Sequence, residues 1–392
     1  MKRKHIMTVI AGCGLIGSCL GVFVNLAGLF YTPIAFDLGV GRGTVSLTLT
    51  LYNLIHGFNG TNALKYMERF GFRKVVLFGT FLQVLSTYAL SLCTSIVPIL
   101  LLNAIRGFAA GMIGMAIVSI MINFWFNRNS SLMTSIALGF SGIAGAILSP
   151  FISSYIAVHG WRNATVLLSI IVLCFNLPAL LFPISLRPED VGEKPYGEAE
   201  EKAVNEEGGS YDMKLFHLVF IFASLASMIS AMPQHFAGIA QSYGLASAAA
   251  AMVSAAMLVN SGGKMALGAL IDRFGNKTSL TLYIVLLLIG NAMMLLCREK
   301  VALIIAAALY GTSYGLAVVA SSSLSREKFG MANYGKVYSR IAFGTTIVNA
   351  LLNYLIGLSY DLSGSYALSL VASLLIAASL LVLLKMLYRS RE

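Results

Sequence analysis

Charge is scarce in this sequence. Only 11% of its 392 residues are charged and 58% are hydrophobic, whereas a soluble domain usually carries about 25% charged residues. So little polar surface cannot cover a water-facing core of this size, which excludes a soluble fold. A helix that crosses a bilayer needs about 20 mostly apolar residues, so the chain has room for about a dozen such helices and little else.

Metal-binding and catalytic patterns are also lacking. The five cysteines lie in or at the ends of apolar runs, and none has a Cys-x-x-Cys spacing, so we read them as reduced and inert. Gly330-x-x-x-x-Gly335-Lys336 resembles a phosphate-binding loop, but Val337 stands where that loop needs Ser or Thr. We therefore predict no metal, no cofactor, no nucleotide and no enzyme activity.

The net charge of +11 does not indicate nucleic-acid binding, because no soluble basic domain carries it. Most Lys and Arg residues fall on alternate loops. Because cytoplasmic loops carry an excess of Lys and Arg, these loops are predicted to lie on the cytoplasmic side. This bias predicts a multi-pass protein of the plasma (inner) membrane with both termini in the cytoplasm. The twelve predicted spans lie near 7–30, 45–64, 75–95, 98–122, 132–157, 164–185, 214–240, 249–271, 280–297, 301–324, 338–360 and 366–388.

One segment, 186–213, differs from the rest. It holds 9 of the 16 acids, two prolines and four glycines, and it has no apolar period. Such a composition is typical of a solvated linker. We therefore predict an N-terminal six-helix bundle at 1–185, a cytoplasmic acidic linker at 186–213 and a C-terminal six-helix bundle at 214–392.

The two halves repeat one another. Glu68-Arg69-Phe70-Gly71 recurs as Asp272-Arg273-Phe274-Gly275 at an offset of 204, and Asp37-Leu38-Gly39-Val40 recurs as Ser242-Tyr243-Gly244-Leu245 at an offset of 205. Two matches at nearly one offset indicate a duplicated six-span unit. The sequence therefore predicts an all-α polytopic membrane protein with two pseudo-symmetric bundles, typical of transporters whose site lies between the halves.

These repeated segments resemble a known family. Residues 64–74 resemble the signature between spans 2 and 3 of the major facilitator superfamily, with Leu64 and Glu68 in place of the usual glycine and aspartate, and 268–277 resembles its second copy. Arg106 is similar to the arginine of the superfamily's span-4 motif. The resemblance implies a gating role for the charged residues of the two signatures, which here are Glu68, Arg69, Arg73, Asp272 and Arg273.

A narrower resemblance comes from two further stretches. Residues 28–39 and 125–162 are similar to the oxalate/formate antiporter and monocarboxylate transporter branch. In that branch the position of Lys264 is usually an arginine, and proton-linked members carry an acid where Asn260 stands. The resemblance therefore implies carboxylate transport, and Asn260, which cannot titrate, favours exchange or uniport over proton symport.

The charges inside the predicted spans all have one sign. All 16 acids lie outside the spans, while Arg106, Lys264 and Arg340 lie inside. A charge at mid-span costs at least about 2.5 kcal/mol, so an anionic substrate is the natural partner for these cations. The alternatives are snorkelling for Lys264 and Arg340 and a structural role for Arg106.

Polar residues at similar depth are further candidates for the substrate site. We include Asn260, Tyr52, His235 and Asn349, although each could instead form a hydrogen bond between helices. His235 could also shuttle protons.

The sequence thus predicts a monomeric secondary transporter in the bilayer for a small organic anion, a mono- or dicarboxylate. A multidrug or metabolite exporter of the same fold remains an alternative that would not need Lys264. A non-transporting membrane sensor is a more distant alternative.

Overall fold

The computed structural model describes residues 2–128, 130–197 and 211–389. Helix dominates these residues, and β-structure among them is limited to an isolated bridge between Phe126 and Tyr196. The predicted all-helical architecture is confirmed. The middle of the predicted acidic linker, 198–210, lies outside the described residues.

The chain divides into two compact units. The first comprises Met1–Val40 and Thr44–Lys202, and the second comprises Gly41–Gly43 and Ala203–Glu392.

Six long helices, α1 to α6, belong to the first repeat. Residue Gly160, with φ of 78° and ψ of 165°, separates α5 (132–159) from α6 (161–181), and a short helix, Ala63–Phe70, follows α2. The bounds are Arg3–Leu38 for α1, Arg42–Gly60 for α2, Phe72–Leu92 for α3, Ile96–Trp125 for α4 and Leu132–Leu181 for α5 and α6 together.

Six further helices, α7 to α12, form the second repeat. Gly275, with φ of 76° and ψ of 167°, separates α8 (246–274) from α9 (276–296). The bounds are Met213–Ser242 for α7, Ala246–Leu296 for α8 and α9 together, Lys300–Gly330 for α10, Arg340–Ser363 for α11 and Ala367–Tyr388 for α12.

The helix count agrees with the twelve predicted spans. In the described part of the chain, nine stretches are long and apolar enough to cross a bilayer, and two of these contain a pair of helices. The twelfth helix is α2, whose 19 residues include Thr, Asn and His side chains that lower its hydropathy.

The helices that begin each group of three, α1, α4, α7 and α10, are interrupted near their middle. Helix α1 contains a π-helical turn at Gly17–Val22, and α4 breaks at Gly114. Helix α7 narrows to a 3-10 turn at Met232–His235, and α10 has a π-helical turn at Leu316–Ala320. Irregular backbone at membrane depth is tolerated where it is buried in protein or lines a cavity, so these four helices are where a site is expected.

The repeat is also visible in the backbone. Three pairs of glycines have a positive φ, the left-handed region that glycine adopts without steric cost, and they are separated by 205, 204 and 204 residues. The pairs are Gly39 and Gly244 (63° and 73°), Gly71 and Gly275 (85° and 76°), and Gly160 and Gly364 (78° and 67°).

Four acids lie inside long helices, although each is outside the span that hydropathy predicts for that helix. Asp37, Asp272, Glu327 and Asp361 occupy the terminal turns of α1, α8, α10 and α11. Each helix continues past its apolar core until a glycine with positive φ two or three residues later. Because glycine ends helices in this conformation, hydropathy alone places the helix ends too early.

The beginning of the predicted linker, 186–197, is ordered against the first unit rather than free in solvent. We call this segment the clasp. Glu189–Val191 form a 3-10 turn, and the ammonium groups of Lys2 and Lys4 lie 2.8 and 3.6 Å from the Glu193 carboxylate. The hydrogen bond from Lys2 holds the pKa of Glu193 below its usual value.

Aromatic packing explains why the clasp is ordered. The His5 ring packs edge-on against Trp125, Phe126 and Tyr196, with ring centres 5.6 to 5.8 Å apart. The Trp125 indole also donates to the Ser185 carbonyl at 3.0 Å. These partners are far apart in sequence, so composition and periodicity could not predict the contact.

Candidate functional site

Arg106 is buried in the first unit among neutral groups. Its side chain leaves α4 at mid-length and is only 8% exposed. The guanidinium donates to Asn103 Oδ1 at 2.9 Å and stacks on the Phe23 ring at 3.9 Å. Its Nε has no hydrogen-bond partner, and no acid pairs with it in the described residues. The ring attraction offsets part of the cost of burying this charge.

A cavity within the first unit opens onto Arg106. Residues 23–34 of α1, which follow its irregular turn, form one wall of the cavity. Helices α2, α3, α4 and α6 form the other walls. Most of the surface is apolar or aromatic, and the polar groups are few, as in ordinary ligand pockets. Its polar and aromatic lining residues are Phe23, Phe30, Tyr31, Thr48, Thr87, Asn103, Arg106, Trp161 and Thr165.

Lys264 lies in α8 of the second unit and is half-buried. Its ammonium lies 5.8 Å from the centre of the Tyr314 ring, and no acid lies within ion-pair distance in the described part of this unit. Asn260 is one helical turn away, and its buried Oδ1 accepts no hydrogen bond from any residue that the structure describes. Residues four apart share a helix face, so Lys264 and Asn260 offer a cation and an acceptor on one side of α8.

Three other predicted site residues form hydrogen bonds between helices. The Tyr52 hydroxyl donates to the Cys19 carbonyl at 2.6 Å, and Asn349 Nδ2 donates to the Ser227 carbonyl at 2.8 Å. His235 is buried, with Nε2 3.0 Å from the Asn353 carbonyl oxygen. These bonds serve packing, and a substrate role for the three residues stays a prediction.

Arg340 is exposed at the start of α11. Its guanidinium donates to the Tyr211 hydroxyl at 2.7 Å. An exposed arginine can satisfy its charge in water, so its position differs from that of Arg106. Its predicted contact with substrate remains untested.

The charged residues of the first signature contact the end of α6 and the clasp. Glu68 lies 3.8 Å from Arg187, and the Arg73 guanidinium donates to the Phe182 carbonyl at 3.3 Å. Arg69 lies over the ring of its neighbour Phe70. These contacts join the short helix after α2 to the clasp, and the start of α3 to the residue that follows α6. Their gating role stays a prediction.

The second signature is held by different residues. Asp272 is exposed and makes no ion pair with any described residue, and Arg273 lies over the Phe274 ring. Asn276, within the same signature, instead donates to Glu327 in α10, and the Tyr388 hydroxyl of α12 donates to the same carboxylate at 2.7 Å.

Sequence reasoning missed this Glu327 network. Lys328 completes it, with its ammonium 3.3 Å from Glu327 Oε1 and 3.6 Å from the centre of the Tyr388 ring. The only sequence signal is the Arg326-Glu327-Lys328 run at the end of an apolar stretch, which is also what an ordinary topogenic loop looks like.

The two stretches that carry the narrower resemblance meet in the structure. Asp37, at the end of α1, lies 2.6 Å from Arg162 at the start of α6, and the Trp161 indole donates to the same carboxylate at 3.3 Å. Arg162 also donates to the Cys93 carbonyl at 3.0 Å. Because Trp161 lines the Arg106 cavity, this cluster fixes one wall of the cavity.

Comparison with known proteins agrees with this architecture. The sequence pattern of the Major Facilitator Superfamily matches residues 12–352. Monocarboxylate transporter 4 of Rattus norvegicus is 26% identical over 191 residues, which are 48% of this chain and 40% of that protein. The protein of the same name from Gallus gallus is 28% identical over 201 residues, 50% of this chain and 41% of that protein. The match therefore spans well under two thirds of these relatives.

Solved structures share the fold over almost the whole chain. A variant of the nucleoside transporter NupG superposes with a TM-score of 0.77 at 12% identity, covering 98% of this chain and 99% of the other. A bacterial homologue of the human lysosomal transporter Spinster, inward-facing and occupied, has a TM-score of 0.70 at 14% identity, covering 99% and 98%. At such identities the likeness concerns the fold alone.

Proposed function

The chain belongs to the major facilitator superfamily and is a secondary transporter, and from this premise we propose that it carries a small organic anion. The proposed substrate is a mono- or dicarboxylate, moved by alternating access. We further propose a plasma-membrane location, cytoplasmic termini and a monomeric carrier.

The observation that carries this proposal is the environment of Arg106. Among the described residues, the guanidinium has a free Nε–H and only neutral neighbours, so it is suited to receive an oxyanion in its cavity. Substrate binding would neutralise the buried charge, so the cavity could close at lower cost. A neutral or cationic substrate would gain nothing from this arrangement.

Lys264 is the corresponding candidate in the second unit. The residue is half-buried, its ammonium lies near an aromatic ring, and Asn260 lies one turn away on the same helix face. A lysine offers a point charge without the bidentate fork of arginine. We therefore propose that Lys264 attracts the anion by charge and that the Asn260 amide donates a hydrogen bond to it from Nδ2.

The similarity to proteins named monocarboxylate transporter 4 supports a carboxylate substrate, although it covers half of this chain. Coupling is proposed from the residues themselves. No carboxylate contacts Arg106 or Lys264 in the part of the chain that the structure describes, so no acid there can exchange a proton with the site. An empty carrier would keep its buried charge and reorient slowly, which favours exchange or uniport.

Counterflow in proteoliposomes tests the proposal. Proteoliposomes that contain the purified protein are loaded with an unlabelled carboxylate. Uptake of labelled mono- and dicarboxylates is then compared between wild type, Arg106→Gln and Lys264→Gln. Lys385→Gln is the matched control, because Lys385 is exposed on α12 and in neither site. We expect uptake in wild type and the control and its loss in Arg106→Gln.

Three outcomes would contradict parts of the proposal. Undiminished carboxylate uptake by both site variants would remove the cations from the mechanism. Uptake of neutral or cationic compounds in place of carboxylates would favour an exporter of the same fold. Strong stimulation by an inward proton gradient would overturn the preference for exchange or uniport.

A further inference from the structure

A basic cavity lies apart from the Arg106 cavity, where the start of α1 meets the end of α6 and the clasp. It is lined by Lys2, Arg3, Lys4, Met7, Pro183 and Glu193. All of these residues belong to the first unit. Three cations and one acid therefore face a single concave surface.

The acid in this cavity is already engaged. Glu193 pairs with Lys2 and with Lys4, and Lys4 also donates to the Val191 carbonyl at 3.0 Å. The exposed guanidinium of Arg3 has no ion pair or hydrogen bond within the described ranges. The cavity thus keeps excess positive charge, held in place by the clasp.

An apolar surface continues from this cavity along both helices. Ile6 and Ile10 of α1 are 48% and 45% exposed, and Leu181 and Leu177 of α6 are 70% and 36% exposed. Positions 3, 6 and 10 follow the spacing of one helix face. Arg3 therefore stands at the end of an apolar stripe.

From this juxtaposition we propose that the cavity binds the headgroup of an anionic glycerophospholipid. The phosphate contacts Arg3 and Lys2, and an acyl chain lies along Ile6, Ile10 and Leu181. Basic pockets at the ends of membrane helices suit anionic headgroups, and the apolar stripe suits a chain that a soluble phosphate lacks. Charge and shape together therefore favour a lipid over a free anion.

Native mass spectrometry of the full-length protein tests the proposal. Detergent-purified protein is incubated with equal amounts of phosphatidylglycerol and phosphatidylcholine, and retained lipids are counted for wild type, Arg3→Gln and Lys385→Gln. Lys385 is a matched control because it is an exposed cation beside the exposed apolar residues Val382 and Met386, outside this cavity. We expect selective retention of phosphatidylglycerol and a loss of about fivefold in Arg3→Gln alone, the size expected for one basic residue next to anionic lipid.

Equal retention by Arg3→Gln and wild type, or an equal loss in Lys385→Gln, would overturn the site. Glycerol 3-phosphate in a second arm separates the two sources of phosphate. If it displaces the lipid at matched concentration, the cavity is a soluble-phosphate site and the lipid proposal is wrong. If glycerol 3-phosphate does not displace the lipid, and Ile10→Ser also weakens lipid retention, the acyl chain contributes to binding as proposed.

Discussion

The two units place their buried cations in different settings. Arg106 is enclosed, stacked on Phe23 and fixed by Asn103, whereas Lys264 is half-buried and lies 5.8 Å from the nearest ring centre. An enclosed, oriented guanidinium has little freedom left to lose when it binds a ligand, while a flexible ammonium must be ordered. The comparison teaches that two cations with similar sequence signals need not contribute equally.

The largest effect is expected from Arg106. Arg106→Gln removes the charge from an enclosed cavity, and we expect carboxylate counterflow to fall by about 100-fold, consistent with the loss of charge-assisted hydrogen bonds. Arg106→Lys keeps the charge without the fork and should recover part of the activity. Thermal unfolding of both variants in detergent is the control for folding. Equal activity of Arg106→Gln and Arg106→Lys would contradict the role of the Arg106 charge.

A smaller effect is expected at Lys264. Lys264→Gln should lower counterflow by about tenfold, because the half-buried charge contributes less than the enclosed one. Lys264→Arg should retain most of the activity, since charge rather than geometry matters there. Initial rates over a range of substrate concentrations measure both variants. A greater loss in Lys264→Gln than in Arg106→Gln would reverse the assignment of the dominant cation.

The Phe23 ring sharpens the comparison further. Phe23→Leu keeps an apolar wall but removes the cation–π contact, which is worth about 0.5–2 kcal/mol. We expect a KM several-fold higher with little change in kcat, because the guanidinium loses its orientation before substrate arrives. Phe30→Leu, on the same cavity wall but away from the reported ring contact, is the matched control and should change KM less.

The smallest effects are expected at the helix ends. Glu327 accepts hydrogen bonds from two helices, whereas Glu68 faces one exposed arginine at 3.8 Å. Glu327→Gln should destabilise the protein by about 1 kcal/mol, and Glu68→Gln by less, as for exposed ion pairs. Thermal unfolding compares the two, and a larger loss in Glu68→Gln would contradict the contacts described.

The sequence predicted the fold and the cations better than their surroundings. Hydropathy and charge predict the twelve helices and the repeat near an offset of 204. They also predict that Arg106 and Lys264 have no acid as a partner, as is found within the described ranges. The hydrogen-bond partners of Tyr52 and Asn349 could not be predicted in this way. A helix that is apolar all round has no periodicity from which to infer which side chains face a neighbouring helix.

The Glu327 network and the clasp show a second limit. Apart from the pair of neighbours Glu327 and Lys328, the contacts named above join residues that are 51 to 191 positions apart, so no local pattern marks them. The ends of the four helices that continue past these acids could have been predicted from the glycine positions, which are visible in the sequence.

The most direct test uses the fluorescence of Trp161. The chain has two tryptophans, and Trp161 lines the Arg106 cavity, so Trp125→Phe leaves one reporter at the site. We predict a saturable fluorescence change on titration with a carboxylate substrate, absent with the matched neutral amide and lost in Arg106→Gln. An equal response to the amide, or an unchanged response in Arg106→Gln, would contradict the claim that Arg106 binds the anion.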